Sequence, residues 1–270
     1  MKLEHLQRSF QSMGARLQVE APQSRQRLTG IPFSVDIRHD RQGQYFAVVA
    51  REPELAQVDF EVLQVQPRER HLLLFAKTDF GKRKDRFLCG HDEREWFVAA
   101  VPGSASTVLQ AREALKPAPV RAIQARMGLN SQQANTRHNP AFRRQGEWFF
   151  VPVANSLVID EKFILRHEPI RRTNGSPHVI DEVYRTGGEL VHVSPRHPRG
   201  LTENQYQSLL KRRPDSKALP WTVMRRNPGV YARGAVRHRD HATIVLHTWH
   251  QVLMNTEHEA PTQRFVSFLD

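Results

Sequence analysis

The stretch Phe60-Glu61-Val62-Leu63-Gln64-Val65, followed closely by His71-Leu72-Leu73-Leu74-Phe75-Ala76, decides the fold class of this chain. In the first segment apolar and polar residues roughly alternate, which is typical of a strand with one face in a core. The second segment is continuously apolar and has the length of a strand. Both predict strands, so residues 26–101 are predicted to form a β-rich region.

Flanking sequence supports this interpretation of the N-terminal part. The runs 45–50 and 96–101 are apolar and strand-sized, with a turn predicted at residues 40–43 and a hairpin loop at residues 90–93. Before them, apolar residues recur at steps of three and four: Leu3, Leu6, Phe10, Met13 and Leu17. This period predicts an amphipathic helix over residues 2–18.

The middle of the chain has helical composition. Residues 106–115 predict one helix with Ser104 or Ser106 as its N-cap, residues 120–127 a second, and residues 131–136 a third. The last two, with Gly128 between them, resemble a helix–turn–helix that leads into a basic strand at Arg143-Arg144. Gln124 departs from that pattern, because a small residue is usual four positions before the turn glycine. An ordinary helical hairpin packed on a sheet explains the same residues.

Strands are predicted again after residue 147, at residues 157–159, 163–165, 189–193 and 243–254, and the second half of the last stretch would also tolerate a helix. One helix is predicted here, opened by a capping box at Thr202 and Gln205. The fold class is therefore α+β, with a β-rich N-terminal half, a helical middle resembling a helix–turn–helix, and a second β-containing half. The predicted divisions are residues 1–103, 104–146 and 147–270.

The charge balance is the strongest indication of function. Lysine and arginine number 40 against 28 acidic residues, a formal net charge of +12, and arginine dominates the cations. Arginine binds phosphate bidentately and stacks on bases, so this excess favours a polyanionic partner. Codon bias would explain the preference for arginine over lysine but not the net charge. One cysteine, no membrane-length apolar run and no secretory apolar core predict a cytoplasmic protein.

Basic residues form six sites along the chain, several of them next to aromatic residues such as Trp148, Trp221 and Tyr231. Bases of RNA or single strands stack on rings and on guanidinium planes, whereas phosphates bind the cations. The alternative is a solvated face whose rings lie in the core. The predicted nucleic-acid-binding residues are Arg83, Lys84, Arg137, Arg143, Arg144, Arg171, Arg172, Arg212, Arg213, Arg225, Arg226 and Arg237.

Two patterns raise catalysis or metal binding as alternatives. His238, His241, His247 and His250 offer metal ligands, although His247 and His250 face opposite ways in a strand. Glu147 followed by Asp160-Glu161-Lys162 has the acid, then acid-x-lysine order of a magnesium-dependent nuclease if both lie on strands. No P-loop, dinucleotide fingerprint or nucleophile elbow occurs in the sequence.

These observations predict a nucleic-acid-binding protein without catalysis, with RNA or single strands favoured over duplex DNA. No cofactor is expected, although a divalent metal belongs to the first alternative, a metal-dependent nuclease or phosphodiesterase. The second alternative is an interaction protein whose positive surface docks an acidic protein partner. No membrane partner is expected.

Overall fold

The computed structural model describes residues 3–22, 33–51, 55–78, 82–153, 157–171, 176–259 and 268–269. The predicted α+β class is confirmed: 22% of the chain is helical and 51% is strand, arranged in several sheets. Two compact units are present. Unit 1 contains Met1–Trp148, Asp240–Ala242 and Met254–Arg264, and unit 2 contains Phe149–Arg239, Thr243–Leu253 and Phe265–Asp270.

The elements of unit 1 are α1 Leu3–Ser12, β1 Leu17–Glu20, β2 Phe33–Asp40, β3 Gly43–Ala50, β4 Asp59–Gln66, β5 His71–Thr78, β6 Arg83–Asp92, β7 Glu95–Ala100, α2 Val108–Ala114, α3 Ala118–Arg126, α4 Ser131–Ala134, β8 His138–Asn139, β9 Phe142–Gln145 and a 3-10 helix at Thr256–Glu259. Strand β3 lies between β1 and β2, parallel to the first and antiparallel to the second. A four-stranded antiparallel sheet has the order β4-β5-β6-β7.

The remaining elements are β10 Trp148–Pro152, a 3-10 helix at Glu161–Phe163, β11 Leu165–Ile170, β12 His178–Thr186, β13 Glu189–Ser194, β14 His197–Thr202, α5 Glu203–Arg212, a 3-10 helix at Pro214–Ala218, β15 Thr222–Arg226, β16 Gly229–His238, β17 His241–Met254 and β18 Phe268–Leu269. In unit 2, β11-β12-β16-β17-β10 form one sheet and β14-β13-β15-β18 another. Among the described residues, no helix combines the length and the apolar character that a membrane span needs.

The continuous apolar run of β5 has a direct explanation, because both faces of this strand are buried. Leu72 and Leu74 belong to a core with α1 and the three-stranded sheet, whereas Leu73 packs on the opposite side with Val108 and Ala111 of α2. Burying each leucine contributes about 1.5–3 kcal/mol. Helix α2 thus packs on the sheet through the residues of β5 that alternate with those facing the main core.

The predicted helix over residues 2–18 is too long. Helix α1 ends at Ser12, and Gly14 follows with a φ of +80°, a left-handed conformation that ends a helix readily only at glycine. Leu17 then lies in β1, paired with Phe46 of β3. It is buried, as the apolar period indicates, but it reaches the core from a strand.

The helix–turn–helix prediction is not supported by the middle segment. Helix α4, the position of a recognition helix, has four residues, which is a single turn and too short to present side chains along a groove. The N-cap of α2 is Thr107, not Ser104 or Ser106. The departure at Gln124 now has a reason, because this side chain is buried and its Nε2 donates to the Ala134 carbonyl at 2.8 Å.

Some of the other local predictions are confirmed and others are wrong. The turn after Asp40 and the capping box at Thr202 and Gln205 are confirmed. The loop predicted at residues 90–93 comes later, because β6 continues to Asp92 and the turn begins at Glu93, whose φ is 49°. Residues 157–159 are not a strand, and β17 is a strand throughout, so the helical alternative for its second half is wrong.

Candidate nucleic-acid interface

Four rings come together in unit 2, within the sheet β14-β13-β15-β18 and the helix that follows β14. His192 lies on β13, His197 is the first residue of β14, Tyr206 is the fourth residue of α5, and Trp221 precedes β15. Each ring is half-buried. We call this group the ring cluster. The pairing of β13 with both β14 and β15 is what unites residues that lie up to 29 positions apart.

The rings contact one another in two stacked pairs. His192 stacks on Tyr206 with centroids 4.0 Å apart and planes 12° apart, and His197 stacks on Trp221 at 5.3 Å and 15°. Trp221 meets Tyr206 edge to face at 4.9 Å, and its indole Nε1 donates to the Ser216 carbonyl at 2.8 Å. The cluster is therefore held in a fixed arrangement while part of every ring remains accessible.

A carboxylate lies against one of the imidazoles. Nε2 of His192 is 2.6 Å from Oε2 of Glu203, and Gln207 donates to the other carboxylate oxygen of Glu203 at 2.8 Å. These hydrogen bonds, first from Gln207 and then from His192, hold the pKa of Glu203 below its ordinary value. The group is therefore ionised at neutral pH.

The segment that carries the ring cluster is rich in cations. Residues 189–226 contain eight lysines and arginines and three acidic residues, a net charge of 8 − 3 = +5. Within the described part of the chain, five of these cations make neither an ion pair nor a side-chain hydrogen bond: Arg196, Arg199, Lys211, Arg213 and Lys217. All five are exposed. Their charges are available to a ligand.

One face of the β13–β15 pair is also apolar and open. Register pairs Leu190 with Arg225 and His192 with Val223, so these four side chains lie on the same face of the sheet. Leu190 is 55% exposed and Val223 is 60% exposed, which is high for branched aliphatic residues on a sheet. The face thus continues the ring cluster with flat apolar surface, next to the exposed Arg225.

Four of the predicted phosphate-binding arginines lie in this segment. Arg212 and Arg213 are at the end of α5, and Arg225 and Arg226 are on β15. Arg226 is paired with Glu189, whereas Arg225 donates to the Gly187 carbonyl at 3.2 Å and is exposed. Arg212 donates to the Ser208 carbonyl from its own helix.

The other predicted cations are placed elsewhere. Arg83 is bound by Asp85 at 3.0 Å, and Arg237 is bound by Asp181. Lys84 and Arg171 are exposed, Arg143 is half-buried, and Arg172 lies outside the described residues. Of these, Lys84, Arg143 and Arg171 remain predicted phosphate contacts with no acidic neighbour among the ion pairs of the described residues.

Arg137 and Arg144 have a different environment from the one expected. Arg137 contacts both Asp92 and Glu93, and Arg144 lies 2.9 Å from Asp92. Oε2 of Glu93 also accepts a hydrogen bond from the Ala242 amide at 2.7 Å. These two arginines fasten β8 and β9 to the β6–β7 turn within unit 1, which accounts for their charge without a ligand.

We therefore expect Arg144→Gln to affect stability more than nucleic-acid binding. Asp92 is only 12% exposed, and loss of a hydrogen bond to a charged group at such a site costs about 1.5–3 kcal/mol. Urea unfolding of both variants checks this, with Arg143→Gln as the matched control because Arg143 forms no ion pair in the described part of unit 1. An Arg144→Gln protein of unchanged stability but weaker nucleic-acid binding would contradict the assignment.

The nuclease candidates do not form the predicted strand pattern. Asp160 is the N-cap of the 3-10 helix Glu161–Phe163 and accepts from the Lys162 amide at 3.1 Å, so Asp160 and Lys162 are in a turn. Glu147 is in the turn before β10. The strand requirement of that interpretation is therefore wrong, because a local capping hydrogen bond determines the backbone at Asp160.

The four histidine candidates do not form one site among the described residues. His241, in unit 1, lies 3.5 Å from Glu93, and His247 is exposed on β17 whereas His250 is buried, as the alternation of a strand requires. In unit 2, His238 stacks on His178 with centroids 4.3 Å apart, and ring nitrogens of the two lie within 4.8 Å of one another. His178 and His238 are thus close enough to bind a common metal ion.

Comparisons with protein-family models, with curated proteins and with solved structures found no match to this chain. Function is therefore inferred from its own residues.

Sequence reasoning singled out Trp221 but missed His192, His197 and Tyr206. The only local signal was their place in a basic segment, because the contacts among them depend on strand pairing.

Proposed function

We propose that this chain binds nucleic acid, with RNA or single strands favoured, through the ring cluster and the cations around it. The observation that carries this proposal is the position of four half-buried, mutually stacked rings in a segment where five exposed cations make neither an ion pair nor a side-chain hydrogen bond in the described structure. Cations bind the phosphates, and rings give the unpaired bases a surface on which to stack.

The exposed Leu190 and Val223 support single strands over duplex. In a duplex the base faces are already stacked, so only edges and backbone are offered to a protein. Unpaired bases have free faces that gain from contact with flat apolar surface and with rings, by about 1–3 kcal/mol per base. An acidic protein would satisfy the cations, but it offers less to the histidine, tyrosine and tryptophan rings.

A cytoplasmic location and a three-part organisation of the chain remain predictions.

Binding should depend steeply on salt and on strandedness. About four phosphate contacts to a single strand predict a slope near −3 for the logarithm of affinity against the logarithm of salt concentration. Affinity for a fluorescent oligoribonucleotide, measured by anisotropy, should therefore fall about 50-fold between about 50 and about 200 mM salt. The same sequence as a duplex should bind more weakly.

Each alternative has its own outcome in this experiment. A flat salt response, or no binding at low salt, would contradict the proposal and favour a protein partner. Tighter binding of the duplex would retain nucleic-acid binding but remove the role of the rings. Cleavage that requires added Mg²⁺ or Mn²⁺ would favour the alternative function of a metal-dependent nuclease.

A further inference from the structure

We propose that the ring cluster is also a metal-independent RNA-cleaving site, in which His192 is the general base, Glu203 orients it, and His197 is the proton donor. This inference rests on the proposed function, since the substrate is the bound single-stranded RNA. It goes beyond binding because it assigns a reaction to particular nitrogen atoms.

The hydrogen bond between His192 and Glu203 determines which nitrogen faces the substrate. A carboxylate can only accept, so Nε2 of His192 carries the hydrogen and donates it to Oε2 at 2.6 Å. The neutral ring then presents a lone pair at Nδ1. The ring of His192 makes no other hydrogen bond within the described residues, and this side chain is 18% exposed. Nδ1 is therefore the nitrogen left for a proton.

Glu203 is suited to the role of an orienting group. Gln207 fixes its second oxygen, and the lowered pKa keeps it ionised. When His192 gains a proton, the charge that develops on the imidazolium lies next to this carboxylate and is stabilised by it. An activated general base needs a carboxylate, an imidazole that donates a hydrogen bond to it, and a second ring nitrogen that can accept a proton.

Stacking holds the two imidazoles in fixed planes around Trp221. His192 is stacked on Tyr206, and His197 is stacked on Trp221. The centroid of the Trp221 ring is 6.5 Å from that of His192 and 5.3 Å from that of His197. A base and an acid next to the same ring suit the cleavage of a phosphodiester, in which the attacking oxygen loses a proton and the leaving oxygen gains one.

The reaction that this arrangement supports needs no oxidant and no cofactor. Nδ1 of His192 removes the proton of a ribose 2′-hydroxyl, the oxygen forms a bond to the adjacent phosphorus, and the bond from phosphorus to the 5′-oxygen breaks. Protonated His197 gives its proton to that leaving oxygen. The products are a 2′,3′-cyclic phosphate and a 5′-hydroxyl, so DNA, which lacks the 2′-hydroxyl, is not a substrate.

The test uses the full chain in EDTA with three end-labelled single-stranded oligonucleotides of one sequence: RNA, DNA, and DNA with one ribonucleotide. We expect cleavage of the RNA, cleavage of the chimaera only after its ribonucleotide, and none of the DNA. Mass spectrometry should identify the cyclic phosphate. His192→Ala should lose at least about 100-fold in rate, the usual contribution of a general base, and Glu203→Gln should lose less.

The controls separate a chemical role from a structural one. His5→Ala, at an exposed histidine of α1, should cleave like the wild type, and circular dichroism should show that His192→Ala is folded. RNA binding without cleavage would overturn this inference and leave the proposed function intact, whereas absence of binding would overturn both. Cleavage of DNA, a need for added metal, or equal activity of His192→Ala would each overturn the inference alone.

Discussion

Lys116→Ala should lower the free energy of unfolding by about 3 kcal/mol, because it leaves a cavity at a buried side chain and removes a cation that three groups contact. Lys116 is 4% exposed, and its Nζ contacts Glu113 at 2.5 Å, the Ala134 carbonyl at 2.9 Å and Gln124 at 3.3 Å. The loss falls at the lower end for a buried pair because Glu113 is 39% exposed and remains partly solvated. For a chain of this size the melting temperature should fall by about 6–12 °C.

Two further variants distinguish the charge from the volume of Lys116. Lys116→Met keeps most of the volume and removes the cost of burying a charge, so it should be much less destabilising than Lys116→Ala. Lys84→Ala, at an exposed lysine of the same unit, should change stability by no more than about 0.5 kcal/mol. If Lys116→Met were as damaging as Lys116→Ala, the charged contacts and not the filled space would carry the stability.

The stability difference between the wild type and Lys116→Met should depend on pH in one direction. Burial lowers the pKa of Lys116 below its ordinary value of 10.5, although Glu113 opposes this. As the pH rises, the folded state therefore releases this proton before the unfolded state does. Between the lowered pKa and 10.5 the unfolded state binds more protons, so the wild type should gain stability relative to the methionine variant. Urea unfolding across this alkaline range measures the change.

Elements that depend on nearby residues could be predicted from the sequence. The apolar run of β5 is explained by burial on both faces, and the capping box at Thr202 joins residues three positions apart. The end of α1 was predicted too late because Leu17 keeps the helical period although it lies in β1. Burial alone does not tell a helical face from a strand, and Gly14 decides between them.

The candidate site could be predicted only in part, because its contacts are between residues far apart in sequence. Excess charge led to Arg212, Arg213 and Arg225, which lie in the segment of the ring cluster. The same criterion led to Arg137 and Arg144, which Asp92 and Glu93 bind from β6 and the turn after it. Net charge does not show which cations already have partners, since pairing across 44 or 52 positions depends on the fold.

Arg196→Ala combined with Arg213→Ala should weaken binding of single-stranded RNA about 30-fold and leave the melting temperature within a few degrees of the wild type. Both side chains are exposed and make no ion pair in the described part of unit 2, so their loss removes phosphate contacts without exposing a buried acid. The slope of affinity against salt should decrease by about 1.4, that is about 0.7 for each lost contact to a single strand.

The matched control is Arg121→Ala combined with Arg126→Ala, which removes the same charge from exposed positions of α3. If binding followed net charge alone, both double variants would weaken it equally and shift the slope by the same amount. A site at the ring cluster predicts that the α3 variant binds nearly as well as the wild type, because its arginines lie outside the segment 189–226. Equal losses in the two variants would therefore replace a defined interface with a diffuse electrostatic attraction, even if the overall salt dependence were steep.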